Sequence, residues 1–163
     1  MKKLLIIAAL IAAATAVGCN RSNDDAADDG APVEPEFTVE ETATRMLEAL
    51  KTGDVDTFLA HTDVRGIYER FPEAMRKTFS YEYFLATLEK AKAKARAAET
   101  NDLKDLRYEI VGTEERDGFQ VVTFRTQTRP DRSWKRWEAH YRLFDGTWKI
   151  TGTGVKKVGT EKD

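Results

Sequence analysis

The sequence predicts an α+β domain, with helices first and an antiparallel meander after them. Apolar residues recur at helical spacing from Val39 to Ala95, and the period drops to two after Thr100-Asn101-Asp102. Ser, Thr and Asp stand where helix N-caps are needed. Two Asp-Gly steps, at 117–118 and 145–146, separate alternating runs rich in Val, Thr and aromatic residues. A block of helices followed by hairpin-linked strands places the helices on one face of a curved sheet of four or more strands.

Thr38-Val39-Glu40-Glu41 reads as a capping box, with Glu41 reaching back to the chain before the helix. Val39, Ala43, Met46, Leu47 and Leu50 then form one apolar stripe, and Gly53 stops the helix. Asp54 caps a second, short helix carrying Val55, Phe58 and Leu59. The pattern breaks near Arg65-Gly66, and Pro72 opens a further turn. Ser80 caps a long helix from Tyr81 to about residue 98, with the stripe Tyr81, Phe84, Leu85, Leu88, Ala91 and Ala95. Leu106, Tyr108 and Ile110 begin the first strand, and Phe119 to Thr128 is the second. Trp134 to Phe144 is the third, and Thr147 to Thr153 the fourth. In the third strand Trp137, Ala139, Tyr141 and Leu143 share one face; Arg136, Glu138, His140 and Arg142 share the other, solvent-directed one.

Ahead of this domain, Met1-Lys2-Lys3 is basic, and Leu4 to Val17 is a 14-residue uncharged stretch. Ala16-Val17-Gly18-Cys19 follows, with the only cysteine of the chain. A basic start, a short apolar run and a small-residue cleavage site make a secretory signal. A membrane-spanning helix needs roughly 20 apolar residues, so a retained span is the weaker reading. The cysteine directly after the small residues resembles a bacterial lipoprotein signal. That resemblance implies removal of residues 1–18, acylation of Cys19, and a lipid anchor on the periplasmic side of the cell envelope. Asn20 after the cysteine implies the outer membrane rather than the inner one. The stretch 20–36 holds six acids and one base and almost nothing able to join a core, so 19–36 is expected to be a disordered tether. Such a chain spans about 20–25 Å root-mean-square.

Residues 37–163 are the size of one domain. Two of the 26 bases lie in the leader and one in the tether, leaving 23; six of the 28 acids lie in the tether, leaving 22. A nucleic-acid partner would call for a clear basic excess, which is absent. With Cys19 committed to lipid, no internal disulfide can form, and the core alone must supply stability. Two histidines are too few for a structural zinc site, so no metal is expected. No nucleophile elbow or nucleotide fingerprint occurs, and Gly152-Thr153-Gly154 lacks the Lys-Ser/Thr ending of a phosphate loop. No cofactor is implied.

The run Ala43 to Ala60, with its Gly53-Asp54 step between two helices, resembles the opening of nuclear transport factor 2-like domains. Asp145-Gly146-Thr147-Trp148-Lys149-Ile150 is similar to the last hairpin of the same superfamily. The resemblance implies a cone formed by the curved sheet and the long helix. It does not carry a function, because that superfamily holds enzymes, binding domains and inert adaptors.

In the superfamily's enzymes an acid or histidine works inside the cone. By that resemblance Asp63 would be a general base and His61 its partner or acid, with Tyr68, Tyr81 or Tyr83 as donor. The competing reading puts His61 in solvent, one step off the Val55-Phe58-Leu59 stripe, with Asp63 capping a turn. A second carboxylate like that of the isomerases is missing, and the balance lies with a non-catalytic protein. Phe58, His61, Tyr81, Phe84, Trp137, Tyr141 and Trp148 are the candidates to line a pocket for a small apolar ligand, and equally to fill it as core. Arg125, Arg129, Arg132, Lys135 and Arg136 surround Trp134 at one hairpin end, a candidate docking patch for an anionic group or another envelope protein. Lys90, Lys92, Lys94 and Arg96 read as a solvated helix face. The open sheet also offers a face to a second copy of the chain. The expectation is a lipid-anchored binding or accessory module; the alternative is a small-molecule enzyme using His61 and Asp63.

Overall fold

The first helix begins as its capping box requires. In the computed structural model, which describes residues 34–97 and 101–161, Thr38 Oγ1 accepts from Glu41 N at 3.2 Å and Glu41 Oε2 accepts from Thr38 N at 2.8 Å. Helix α1 spans Val39–Thr52 and ends on Gly53, whose φ of 79° only glycine adopts without strain. The Asn101 amide then donates to the free carbonyls of Leu50 and Lys51, at 3.1 and 2.6 Å. Asp54 caps α2 (Val55–Ala60), and Asp63 caps α3 (Val64–Glu69). Helix α4 (Glu73–Thr78) follows Pro72, and α5 (Tyr81–Arg96) is capped by Ser80.

Four strands follow: β1 (Arg107–Arg116), β2 (Phe119–Gln127), β3 (Trp134–Phe144) and β4 (Thr147–Glu161). They pair in sequence order, all antiparallel, as one open sheet. Both Asp-Gly steps adopt positive φ at both residues, 54° and 74° at the first, 47° and 74° at the second. Those are primed turns, whose twist matches the strands they join. The described residues are thus α+β, five helices set against an open antiparallel sheet.

The last strand is longer than the sequence suggests. Tyr141 pairs with Ile150, and Ala139 with Val155, so one residue of β3 lies opposite four of β4. The ladder resumes to Trp134 opposite Glu161. The glycines at 152 and 154 hide this continuation from a pattern reading, because they interrupt the alternation.

The inner face of the sheet and α1 make the main core. Ala43, Met46, Leu47, Phe58, Val122, Phe124, Ala139, Tyr141 and Ile150 are buried there. A second cluster of Ile67, Phe71, Phe84 and Leu88 lies between α3 and α5, with Tyr68, Phe79 and Tyr81 packed on it. Phe84 and Leu88 point inward, whereas Leu85 is exposed: it stands about 100° round the helix from Phe84. Lys92 and Arg96 are not simply solvated. Both pair with Asp56 of α2, Lys92 at 2.7 Å, and so tie α5 across to the second helix.

Candidate functional site

The segment His61-Thr62-Asp63 is docked against the sheet. Thr62 forms a parallel bridge with Ile150; Ile150 N donates to His61 O at 2.9 Å, and Asp63 N donates to Ile150 O at 2.8 Å. Thr62 Oγ1 also donates to Phe58 O at 2.7 Å. This bridge carries His61 inward to 9% exposure, so the expectation of a solvent-facing histidine is corrected. The residue's place one step off the α2 stripe says nothing about a strand 87 positions later. Nδ1 of His61 lies 3.2 Å from the Trp148 carbonyl, and so carries the proton in that contact.

Asp63 points elsewhere. Its Oδ1 accepts from Gly66 N at 2.8 Å, the N-cap bond of α3. A Cβ on Gly66 would collide with the same carboxylate, so the sharp entry to α3 needs both residues. Among the tyrosines offered as donors, Tyr68 donates to Phe79 O at 3.0 Å, Tyr81 packs at a tilt against Tyr68, and Tyr83 is exposed.

The candidate lining residues divide between the two clusters. Phe58 and Tyr141 are buried in the main core and Trp137 and Trp148 pack on it, set well apart along the sheet, while Tyr81 and Phe84 belong to the α3–α5 cluster. Tyr141 is 2% exposed; its hydroxyl donates to Met46 Sδ at 3.6 Å, and burial pushes its pKa far above the usual phenol range. Trp137 Nε1 donates to Thr126 Oγ1 at 2.9 Å. Trp148 differs. Its Nε1 is buried and meets no acceptor among the described residues, and the same holds for Thr113 Oγ1. The strand pattern marks Trp148 as a lining candidate but carries no signal for its orphan N–H, and none for Thr113.

At the other end of the sheet, on the outer face, the Trp134 ring lies under Arg125 at 4.8 Å and Arg107 at 5.6 Å. Arg125 pairs with Glu109 at 2.7 Å and Glu161 at 3.2 Å, and Arg136 with Glu161 at 3.6 Å. Gln127, nearly fully buried, accepts from Arg107 and donates to the carbonyl of Arg132 at 2.6 Å, pinning the loop before Trp134. Of the candidate docking residues, Arg136 pairs with Glu161 and Arg132 with Asp131 at 4.0 Å, while Arg129 and Lys135 stand exposed. The residues missed at this end, Arg107, Glu109, Gln127 and Glu161, lie on three different strands, and only the sheet register brings them together.

Cys19 lies outside the described residues. Among the described residues no helix is long and apolar enough to cross a membrane, and no group of His, Cys, Asp and Glu is placed to hold a metal ion. No protein-family model, curated protein or solved structure matches this chain.

Proposed function

We propose that this chain is a lipid-anchored, non-catalytic binding module of the bacterial cell envelope. Cys19 carries the anchor, and the tether 19–36 holds a nuclear transport factor 2-like domain on the periplasmic side. The ligand is a small apolar molecule with one hydrogen-bond acceptor, seated against the inner face of the sheet. The observation that supports this reading is the buried, unpartnered Nε1–H of Trp148, whose side chain packs on the core cluster that holds Phe58 and Tyr141. A buried donor without an acceptor costs about 1–3 kcal/mol, and a bound acceptor recovers that cost. The non-catalytic part of the reading draws on the bonds of His61 and Asp63. The acid holds a helix cap and the imidazole holds a backbone carbonyl, so they are not paired as base and partner.

Binding is tested by the thermal midpoint of the full chain, in detergent, with methyl decanoate, decanoate or decane. The reading expects the midpoint to rise with an acceptor-bearing compound and not with decane, following RT ln(1 + [L]/Kd). Equal responses to all three would reject it. The anchor is tested by Cys19→Ser, expected to move the protein from the membrane fraction to the soluble one; continued retention would reject acylation at that residue.

A further inference from the structure

We propose that the outer face of the sheet carries a phosphate-binding site made by His140, Arg142 and Arg70 beside the Phe119 ring. The strand register puts these groups together. His140 lies opposite Val121, and Arg142 opposite Lys149, so the side chains of His140, Arg142 and Lys149 leave the same face of the sheet. Phe119 stands between two of them: its ring centroid is 5.7 Å from that of His140, and the Arg142 guanidinium lies 4.3 Å above it. Arg70 arrives from the end of α3, which the Thr62–Ile150 bridge fixes against β4.

Two further observations mark this cluster as a site. The first is that its cations are not held in ion pairs. Among the described residues, Arg70, Arg142, Lys149 and Lys156 form no ion pair, whereas Arg116 pairs with Glu114 and with Glu138. The Trp134 end of the same face is the contrast, since Glu109 and Glu161 answer its arginines. Partial burial holds the Arg70 pKa below its ordinary value; nearby Arg142 adds to that, and Asp63 opposes it. The second is His140 itself. Its Nδ1 is buried and meets no partner among the described residues. Burial, then the charges of Arg116, Arg70 and Lys156, hold the imidazole below its ordinary pKa against the pull of Glu138. A phosphate group supplies what the cluster lacks: two negative oxygens for the guanidinium forks and an acceptor for the imidazole. The ring of Phe119 keeps Arg142 aimed, so little side-chain freedom is lost on binding. The site lies on the opposite face of the sheet from Trp148, and it stands or falls independently of the inner ligand.

The test is a titration of the full chain in detergent micelles with sodium phosphate, against sodium chloride at equal ionic strength. The His140 ring nitrogens are followed by 15N NMR. Short-chain phosphatidylglycerol against short-chain phosphatidylcholine forms the second arm. A saturable shift with inorganic phosphate supports the site with a soluble ligand; a shift with phosphatidylglycerol alone supports it with a lipid headgroup. In either case Arg142→Gln should weaken the apparent affinity about tenfold or more, the effect of one charge-assisted bond. Arg70→Gln, outside the strands, gives the same comparison where Arg142→Gln perturbs the sheet. No shift beyond that in chloride, or affinity unchanged in both variants, would overturn the proposal.

Discussion

The carboxylate of Asp63 accepts a hydrogen bond from the backbone N–H of Gly66, and Gly66 has no room for a Cβ against that carboxylate. The two residues form a single device that starts α3 immediately after the chain leaves its bridge with β4. Asp63→Ala should lower stability by about 1 kcal/mol, the usual worth of an N-cap, and Asp63→Asn should keep most of it. Gly66→Ala should cost about 1–2 kcal/mol by forcing the cap open. Urea midpoints at constant slope measure all three.

Tyr141 is held by packing more than by its hydroxyl. Among the described residues that hydroxyl meets only a thioether, a weak acceptor, at 3.6 Å. Tyr141→Phe should therefore change stability by less than about 1 kcal/mol, and Tyr141→Ala should cost about 3–5 kcal/mol as a large aromatic leaves the core. Comparable losses in the two variants would show that the hydroxyl, not the ring, secures the strand.

Trp148→Phe should separate binding from folding. Without ligand, the lost contact area is offset by removal of a buried donor that costs about 1–3 kcal/mol. Stability should then stay within about 1 kcal/mol of the parent protein, or exceed it, while the response to methyl decanoate disappears. A large loss of stability would mean that the indole N–H already has a partner.

The pH dependence near neutrality should come from His140. Burial lowers its folded pKa below the ordinary value of 6.5, so between the two values the unfolded chain binds more protons than the folded one. Its contribution is present above about pH 6.5 and is lost as pH falls from there toward the folded pKa. The melting midpoint should decline in that window, and His140→Gln should flatten the decline. The lowered carboxylates, Glu41 through its bonds to Thr38 and Asp54 through its bonds to Thr57, act only at more acid pH. Their stabilisation is present above the ordinary carboxylate range and fades as pH falls through their folded pKa values. A His140→Gln profile that matches the parent protein would contradict this assignment.

Local chemistry made much of the fold legible. The capping box at Thr38, the Gly53 stop, the caps at Asp54 and Ser80 and both Asp-Gly turns are short-range devices, each formed within about four residues. What was not legible depends on distant partners. His61 is drawn inward by a bridge to Ile150, and Lys92 and Arg96 turn to Asp56 on another helix. The second half of β4 exists because β3 is long enough to pair with it after the slip. The same applies to the sites. Trp148 could be named from the strand pattern, but its orphan N–H is a property of everything packed around it. Arg70 carries no motif at all and matters only through its approach to His140 and Arg142.

The most direct test of the central claim follows the indole Nε1–H of Trp148 by 15N NMR while methyl decanoate is added to the full chain. The account predicts a slowly exchanging proton in the free protein that shifts downfield and saturates as an acceptor reaches it, with no such shift on adding decane. An indole proton that exchanges freely with water, and stays unmoved by every acceptor-bearing compound, would contradict it.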